Sequence, residues 1–169
     1  MHASGFEHLD LKPGNILIAQ PSEEVFVVRG HPSLPPVRSC LGRPWSREGP
    51  DGDSIGTPAY MAPEQAADGQ LGTVTALADV YGLGGILYWL LYGDPPNQVN
   101  TLNTRDGLAA LARRNGPPPP GRLQFTDPPS QELAKELESV CLRALHSQRV
   151  KRPQNVGEFM EAIQKALMH

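Results

Sequence analysis

Three side chains near the start of the chain have the types and the spacing that chemistry on a phosphoryl group requires. Asp10, Lys12 and Asn15 bring a carboxylate, an amine and an amide to one short loop, within the sequence HLDLKPGNIL at residues 8–17. Alternate side chains of an extended loop face the same way, so Asp10 and Lys12 can point into one site. Asp10 can then accept the proton of a substrate hydroxyl while Lys12 balances the charge on the transferred phosphoryl group. The amide oxygen of Asn15 can bind Mg²⁺.

The elements that position this loop are predicted to be mainly α-helical, with one small β-hairpin. Two short runs of apolar or β-branched residues, 16–18 and 25–28, are separated by turn-forming residues and predict the hairpin directly after the loop. Residues 31 to 52 are rich in Pro, Arg, Ser and Gly and show no hydrophobic periodicity. They predict an irregular segment that contributes little to a core.

A central helix is expected at residues 76–92. Apolar side chains cover nearly all of its faces, a pattern typical of a buried helix. The glycines in the sequence GLGG at residues 82–85 follow no strand and lack the spacing of a phosphate-binding motif. They predict close packing of this helix against its neighbours.

Two shorter helices are predicted on either side of the central one in sequence. Pro63 suits the first position of a helix over residues 63–67. A helix at residues 105–115 is closed by Gly116 and by the prolines at 117–120. Those prolines predict a stiff, extended connector, because proline cannot continue the helix.

The last two helices are predicted from their caps and apolar stripes. Ser130 is the expected N-cap of the first, and Asn155 with Glu158 resembles a capping box before the second. The spacing of apolar residues makes both helices amphipathic. The predicted buried residues are Leu133, Leu137, Val140, Cys141, Ala144 and Leu145 in the first helix and Phe159, Ile163 and Leu167 in the second.

Composition argues against several classes of partner. A net charge of -3 and a pI near 5.9 provide no basic surface for nucleic acid. Cys40, Cys141 and the five histidines show no metal-ligand spacing, so no zinc site is predicted and the thiols are expected to be reduced and buried. The longest apolar stretch, 80–92, is shorter than the roughly 20 residues of a membrane span, and no secretory signal follows Met1. A cytoplasmic location is therefore expected.

Several motifs along the chain resemble those of protein kinases. The loop at 8–17 resembles their catalytic loop, in the serine/threonine form that has lysine two places after the aspartate. The sequence GTPAYMAPE at 56–64 resembles the end of a kinase activation segment. DVYGLG at 79–84 and GDPP at 93–96 resemble the central helix and its exit, and KRP at 151–153 resembles the motif before the final helix. The resemblance runs from residue 2 to about residue 168 in the style of bacterial serine/threonine kinases.

This resemblance implies the C-terminal lobe of a protein kinase, a mainly α fold of the α+β class whose N-terminal lobe is missing from the chain. It implies Asp10, Lys12 and Thr57 as catalytic residues, with the Thr57 hydroxyl bridging the other two, and Asn15 as a weak metal ligand. It also implies ATP and Mg²⁺ as cofactors, and a protein as substrate or partner.

Structural roles follow from the same resemblance for His8, Asp79, Glu64 and Arg152. Asp79 is expected to hold the backbone of the catalytic loop through charge-assisted hydrogen bonds, and Arg152 to pair with a buried Glu64. The chain, 1–169, is then a partial kinase domain. It divides into a catalytic loop at 1–18, a degenerate metal-binding and activation segment at 19–55 and a helical lobe at 56–168.

Departures from the family pattern predict that the isolated chain is catalytically incompetent. Residues 1–7 hold neither a glycine-rich loop nor a strand lysine, so the nucleotide-binding residues are unknown. The place of the family's Asp-Phe-Gly reads Val-Arg-Gly-His at 28–31, and a shifted alignment at 38–43 also lacks a carboxylate. Binding of Mg²⁺ is expected to be weak, because this cation favours anionic oxygens. Leu9 replaces the arginine that binds a phosphorylated activation loop, so switching by that route is not expected.

Two alternatives to an inactive kinase fragment remain open at this point. The chain can be a pseudokinase-type module that holds a partner protein with its helical face and proline-rich stretches. It can also be the decayed or frameshifted product of a kinase gene, because residues 19–50 have a composition typical of GC-rich DNA read in a shifted frame.

Overall fold

The computed structural model of the chain describes residues 7–19, 24–27, 58–67, 73–97 and 105–168. Short 3-10 turns lie at Pro13–Asn15, Pro58–Tyr60 and Arg149–Lys151. No helix in the part described is both long enough and apolar enough to cross a membrane. The strands and helices are β1 (Ile16–Ala19), β2 (Glu24–Val27), α1 (Pro63–Ala66), α2 (Leu77–Tyr92), α3 (Arg105–Ala112), α4 (Pro128–Ala144) and α5 (Val156–Leu167).

The two strands form an antiparallel pair that begins where the candidate loop ends. Ile16 lies opposite Val27, and Ala19 lies opposite Glu24. β1 follows the 3-10 turn Pro13–Asn15 without an intervening residue. The backbone that leaves the loop is therefore held in a ladder of hydrogen bonds.

Helix α2 is the centre of the core, and the prediction of a buried central helix is confirmed for most of its length. Val80 and Tyr81 are completely buried, and Leu91 is nearly so. Side chains of α4 and α5 pack around α2 in one continuous cluster. Trp89 and Leu90, near the end of α2, are exceptions with 40% and 53% of their surface exposed.

Glycines let neighbouring segments approach α2 closely. A Cβ atom at Gly82 would lie 2.8 Å from the Cβ of Leu11 in the candidate loop. A Cβ atom at Gly84 would lie 2.8 Å from the Cβ of Ala144 in α4. Both distances are too short for any side chain larger than hydrogen, so the prediction of close packing at these glycines is confirmed.

Helix α3 is shorter than predicted, since it ends at Ala112 and not at residue 115. The amide of Arg113 still donates to the carbonyl of Ala109 at 3.1 Å, but that of Arg114 donates to Leu111, three residues back, at 3.1 Å. This tighter turn ends the helix before Gly116.

The predicted N-cap of α4 is wrong, whereas that of α5 is confirmed. Asp127, and not Ser130, caps α4: its carboxylate accepts a hydrogen bond from the amide of Ser130 at 3.0 Å. The amide of Ser130 is thus the capped group, because two prolines occupy the first positions of the helix and cannot donate. At α5, the side chain of Asn155 accepts from the amide of Glu158 at 2.9 Å.

The predicted apolar stripes of α4 and α5 are buried only in part. Cys141 and Phe159 are 0% and 3% exposed, and the Cys141 thiol is free and buried as expected. Leu133 and Leu167, in contrast, are 38% and 57% exposed, so their predicted burial is wrong.

The contact between α2 and α4 leads to a prediction about stability. Replacing Gly84 by valine forces atoms against Ala144 and should lower the free energy of unfolding by about 1–3 kcal/mol, because overpacking displaces the two helices. The matched control is Gly14→Val, since a Cβ atom at Gly14 meets no atom within 4 Å. Urea denaturation of both variants measures the difference. A Gly84→Val variant as stable as the control would contradict the close packing.

Candidate active site

The loop predicted from the sequence brings Asp10, Lys12 and Asn15 together. The Lys12 Nζ lies 3.1 Å from the Asp10 Oδ2, and the Asn15 amide nitrogen donates to that same oxygen at 3.1 Å. The side chains of Lys12 and Asp10 are 29% and 18% exposed, so both are partly accessible to solvent. An ion pair of this accessibility contributes at most about 1 kcal/mol to stability.

The loop is shaped by its own sequence. Pro13 stands at the first position of the 3-10 turn, where its fixed φ angle suits the turn and its missing N–H is not needed. The Asn15 amide nitrogen also donates to the Asp10 backbone oxygen at 2.7 Å, which closes the loop on itself. Because the nitrogen end of the amide faces Asp10, the oxygen end is the one that can bind a cation.

Asp79 fixes the start of the loop to the central helix. Its two carboxylate oxygens accept hydrogen bonds from the backbone amides of His8 and Leu9, each at 2.7 Å. Asp79 is only 2% exposed and lies in the first turn of α2, where the helix dipole stabilises a negative charge. Charge-assisted hydrogen bonds of this kind are about twice as strong as neutral ones.

Leu9 adopts a backbone conformation that is rare for its residue type. Its φ angle is +62°, in the left-handed region, and such strain costs about 1–3 kcal/mol. The strain is held from both sides, since the Leu9 amide donates to Asp79 and its carbonyl accepts from the Gln65 side chain at 2.9 Å. The sequence analysis did not single out Gln65, whose only signal is its place directly after Glu64.

His8 supports the loop from within. Its ring nitrogen Nδ1 accepts a hydrogen bond from the backbone amide of Asp10 at 3.3 Å, and the side chain is partly buried. The imidazole therefore contacts the backbone of the candidate base while lying two residues away from it in sequence.

Glu64 and Arg152 form a buried ion pair across 88 residues of sequence. The two guanidinium nitrogens reach the two carboxylate oxygens at 2.7 and 2.8 Å, and the residues are 2% and 3% exposed. The guanidinium also lies over the ring of Tyr81, 5.0 Å from its centre. The remaining donors of Arg152 are bound by the backbone oxygens of Leu77, His146 and Ser147.

A second buried polar group, Asn97, was missed by the sequence analysis. Its side chain donates to the backbone oxygens of Pro58 and Met61, each at 3.0 Å, and accepts from the Tyr81 hydroxyl at 3.2 Å. Asn97 is 0% exposed, and burial raises the pKa of Tyr81 above its ordinary value. These contacts tie the segment before α1 to the central helix. No local pattern marks Asn97, because all of its partners are distant in sequence.

Comparison with known proteins identifies the family. The family model of the protein kinase domain matches residues 1–168 of the chain. The chain belongs to the protein kinase family. Its relatives confirm the predicted resemblance to bacterial serine/threonine kinases.

Two bacterial relatives illustrate the similarity of this kinase chain to characterised proteins. It is 37% identical to serine/threonine-protein kinase Pkn1 of Myxococcus xanthus, over 98% of this chain and 22% of Pkn1. It is 32% identical to serine/threonine-protein kinase PknB of Mycolicibacterium smegmatis, over 94% of this chain and 22% of that protein. The chain thus spans about a fifth of the length of these relatives.

The remaining predicted site features of this kinase chain lie outside the residues described. Thr57, the segment at 28–31 and the shifted alignment at 38–43 are among them. Among the described residues, no group of three or more His, Cys, Asp or Glu side chains is arranged to hold a metal ion. Asn15 offers one neutral oxygen, which is too little for Mg²⁺, so these residues do not by themselves fit the cofactor.

The hold of Asp79 on the loop can be tested with an isosteric amide. Asp79→Asn removes the charge and turns an NH₂ group toward one backbone amide, which should destabilise the protein by about 1–3 kcal/mol. Hydrogen exchange of the His8 and Leu9 amides should become faster than in the parent. Asp94→Asn is the control, since Asp94 is exposed beyond the other end of α2. Unchanged exchange at residues 8 and 9 in Asp79→Asn would show that the carboxylate does not hold the loop.

The ion pair between Glu64 and Arg152 leads to a second prediction. Arg152→Met leaves the Glu64 carboxylate buried without its partner and should lower the free energy of unfolding by about 3–5 kcal/mol. The double variant Glu64→Leu/Arg152→Met should lose less than the sum of the two single variants, because no unpaired charge is left. Lys151→Met, at an exposed neighbouring position, is the control for charge removal. Additive losses in urea denaturation would argue against coupling.

Proposed function

We propose that this chain supplies the catalytic-loop half of a serine/threonine protein kinase, which transfers the γ-phosphoryl group of ATP to a protein hydroxyl. One observation carries the proposal: the Asp10 carboxylate lies 3.1 Å from both the Lys12 amine and the Asn15 amide, on a loop anchored by a buried carboxylate. The membership of the chain in the protein kinase family supports the same function.

In this mechanism Asp10 is the group that receives the substrate. Its carboxylate orients the serine or threonine hydroxyl and accepts the proton as the hydroxyl oxygen bonds to the γ-phosphorus. The bond from phosphorus to the leaving oxygen of ADP breaks in the same displacement. General-base help of this kind contributes about 10²–10⁴-fold to a rate.

Lys12 and Thr57 complete the proposed catalytic set. The Lys12 ammonium group lies beside Asp10 and places a positive charge where the transferred phosphoryl group gains negative charge. The Thr57 hydroxyl is proposed to bridge Asp10 and Lys12. Because phosphoryl transfer depends mainly on positioning and charge, the rigid anchoring of the loop is itself a catalytic contribution.

Residues 1–169 alone are proposed to be a poor catalyst. The sequence holds no match to a glycine-rich phosphate loop, and it has no Asp or Glu between residues 25 and 47, where the family places its metal-binding carboxylate. ATP, when bound, supplies the phosphoryl group, and Mg²⁺ shields its negative charge. Binding of both requires side chains other than those that the structure describes. The proposed division is a catalytic loop at 1–18, a degenerate segment at 19–55 and a helical lobe at 56–168.

Phosphoryl transfer itself tests the proposal. The assay measures transfer of the labelled γ-phosphate of ATP to casein in the presence of Mg²⁺. It compares the 169-residue chain with the product of the whole reading frame that contains it. The whole product should phosphorylate casein, and its Asp10→Asn variant should be slower by about 10²–10⁴-fold. The 169-residue chain should transfer no faster than that variant. Asp94→Asn, which changes an exposed carboxylate away from the loop, should keep the parental rate.

Three results would each overturn a different part of the proposal. A whole product that transfers phosphate undiminished as Asp10→Asn would remove the catalytic role of the loop. A whole product that transfers no phosphate would refute the proposal that the chain is part of an active kinase. Transfer by the 169-residue chain alone would leave the kinase assignment intact and refute only its proposed incompetence.

A further inference from the structure

The connector between α3 and α4 contains a proline run with a defined conformation. Its sequence is Gly-Pro-Pro-Pro-Pro-Gly-Arg at residues 116–122. Each proline fixes its own φ angle near −65°, and each residue that precedes a proline is restricted to extended or polyproline II backbone. These restrictions favour a polyproline II helix, which has three residues per turn and three edges.

One edge of this helix is packed on α2. Pro118 is fully buried, and one turn later a Cβ atom at Gly121 would lie 2.8 Å from the Cβ of Tyr92. The Tyr88 hydroxyl also donates to the Pro119 backbone oxygen at 2.9 Å. The spacing of three between Pro118 and Gly121 agrees with the period of the polyproline II helix.

The other two edges face solvent. Pro117 and Pro120, three residues apart, are exposed on one edge, Pro119 is exposed on the other, and Arg122 is exposed just after the run. We name these four residues the proline ridge. The protein buries one edge of a three-edged helix and presents the remaining two.

Hydrogen bonds at both ends hold the ridge in place. At its start, the Gly116 amide donates to the Ser147 hydroxyl at 2.7 Å, and the Ser147 amide donates to the Gly116 oxygen at 3.3 Å. After its end, the Gln124 amide donates to the Leu91 oxygen at 3.1 Å. A segment ordered before binding loses little conformational entropy when a partner covers it.

We propose that the proline ridge docks into the aromatic-lined groove of an SH3-type partner domain. Pro117 and Pro120 have the P-x-x-P spacing that such grooves recognise, and the two exposed edges are those a groove needs to contact. Arg122 follows two residues after Pro120 and pairs with a carboxylate at the end of the groove. This docking is separate from phosphoryl transfer and does not depend on the proposed catalytic role.

Titration with a defined probe tests the ridge. The probe is a recombinant, ¹⁵N-labelled SH3 domain whose groove ends in an acidic pocket, and the titrant is the 169-residue chain. The probe's groove resonances should shift on binding. The affinity should fall by about tenfold or more in Pro117→Ala/Pro120→Ala and by about tenfold in Arg122→Glu. Added NaCl should weaken binding of the parent more than that of Arg122→Glu, because salt screens the ion pair.

Pro128→Ala is the matched control, because Pro128 is also an exposed proline but lies outside the ridge. It should bind the probe as the parent does. Thermal melts check the fold of each variant. If the double variant unfolds, the affinity of Arg122→Glu for the probe tests the proposal, since this substitution changes only an exposed side chain.

Three results would overturn the proposal. The first is a probe that shows no shift with the parent chain at up to about 1 mM. The second is binding that survives both the double variant and Arg122→Glu. The third is a WW domain that binds as tightly as the SH3 domain and is insensitive to Arg122→Glu, since the groove would then not be of the acidic SH3 type.

Discussion

Burial of α2 on almost every side is the constraint from which the rest of the structure follows. A helix surrounded by protein must find partners inside the protein for each polar group it carries. The Asp79 carboxylate accepts hydrogen bonds from two backbone amides of the candidate loop, and the Tyr81 hydroxyl donates one to Asn97. The same burial requires glycine where other segments cross, as at Gly82 beside Leu11. The candidate loop is thus positioned by its contacts with the core helix.

The buried ion pair shows how distant segments are joined around that helix. Glu64 lies in α1 and Arg152 lies just before α5. The Arg152 guanidinium that donates to Glu64 also donates to the Leu77 oxygen at the start of α2. A buried ion pair adds little net stability compared with apolar residues of the same size, because both charges lose water. Its geometry, with two parallel hydrogen bonds and three backbone acceptors, admits few other arrangements. The pair thus joins α1 to the segment before α5 and to the start of α2.

The sequence predicted those features whose cause is local. The helix α2 follows from its composition. The cap at Asn155 follows from a side-chain amide oxygen three residues before Glu158, and the loop follows from its residue types. The cap of α4 was wrong because Ser130 and Asp127 are both good capping residues, and the choice depends on how two prolines enter the helix. The roles of Gln65 and Asn97 were not predicted, because the backbone oxygens to which they donate lie tens of residues away in sequence. Family resemblance, and not periodicity, supplied the pairing of Glu64 with Arg152.

Leu9 shows why the loop keeps its shape at a position where its side chain departs from the family. The strained φ angle is imposed through the backbone, since the amide of Leu9 is bound by Asp79 and its carbonyl by Gln65. The side chain contributes by packing against the core cluster, where an apolar residue is suited and a charged one would need a partner. The position of the Asp10 carboxylate therefore depends on the two groups that hold the backbone of residue 9, and not on the identity of the side chain there.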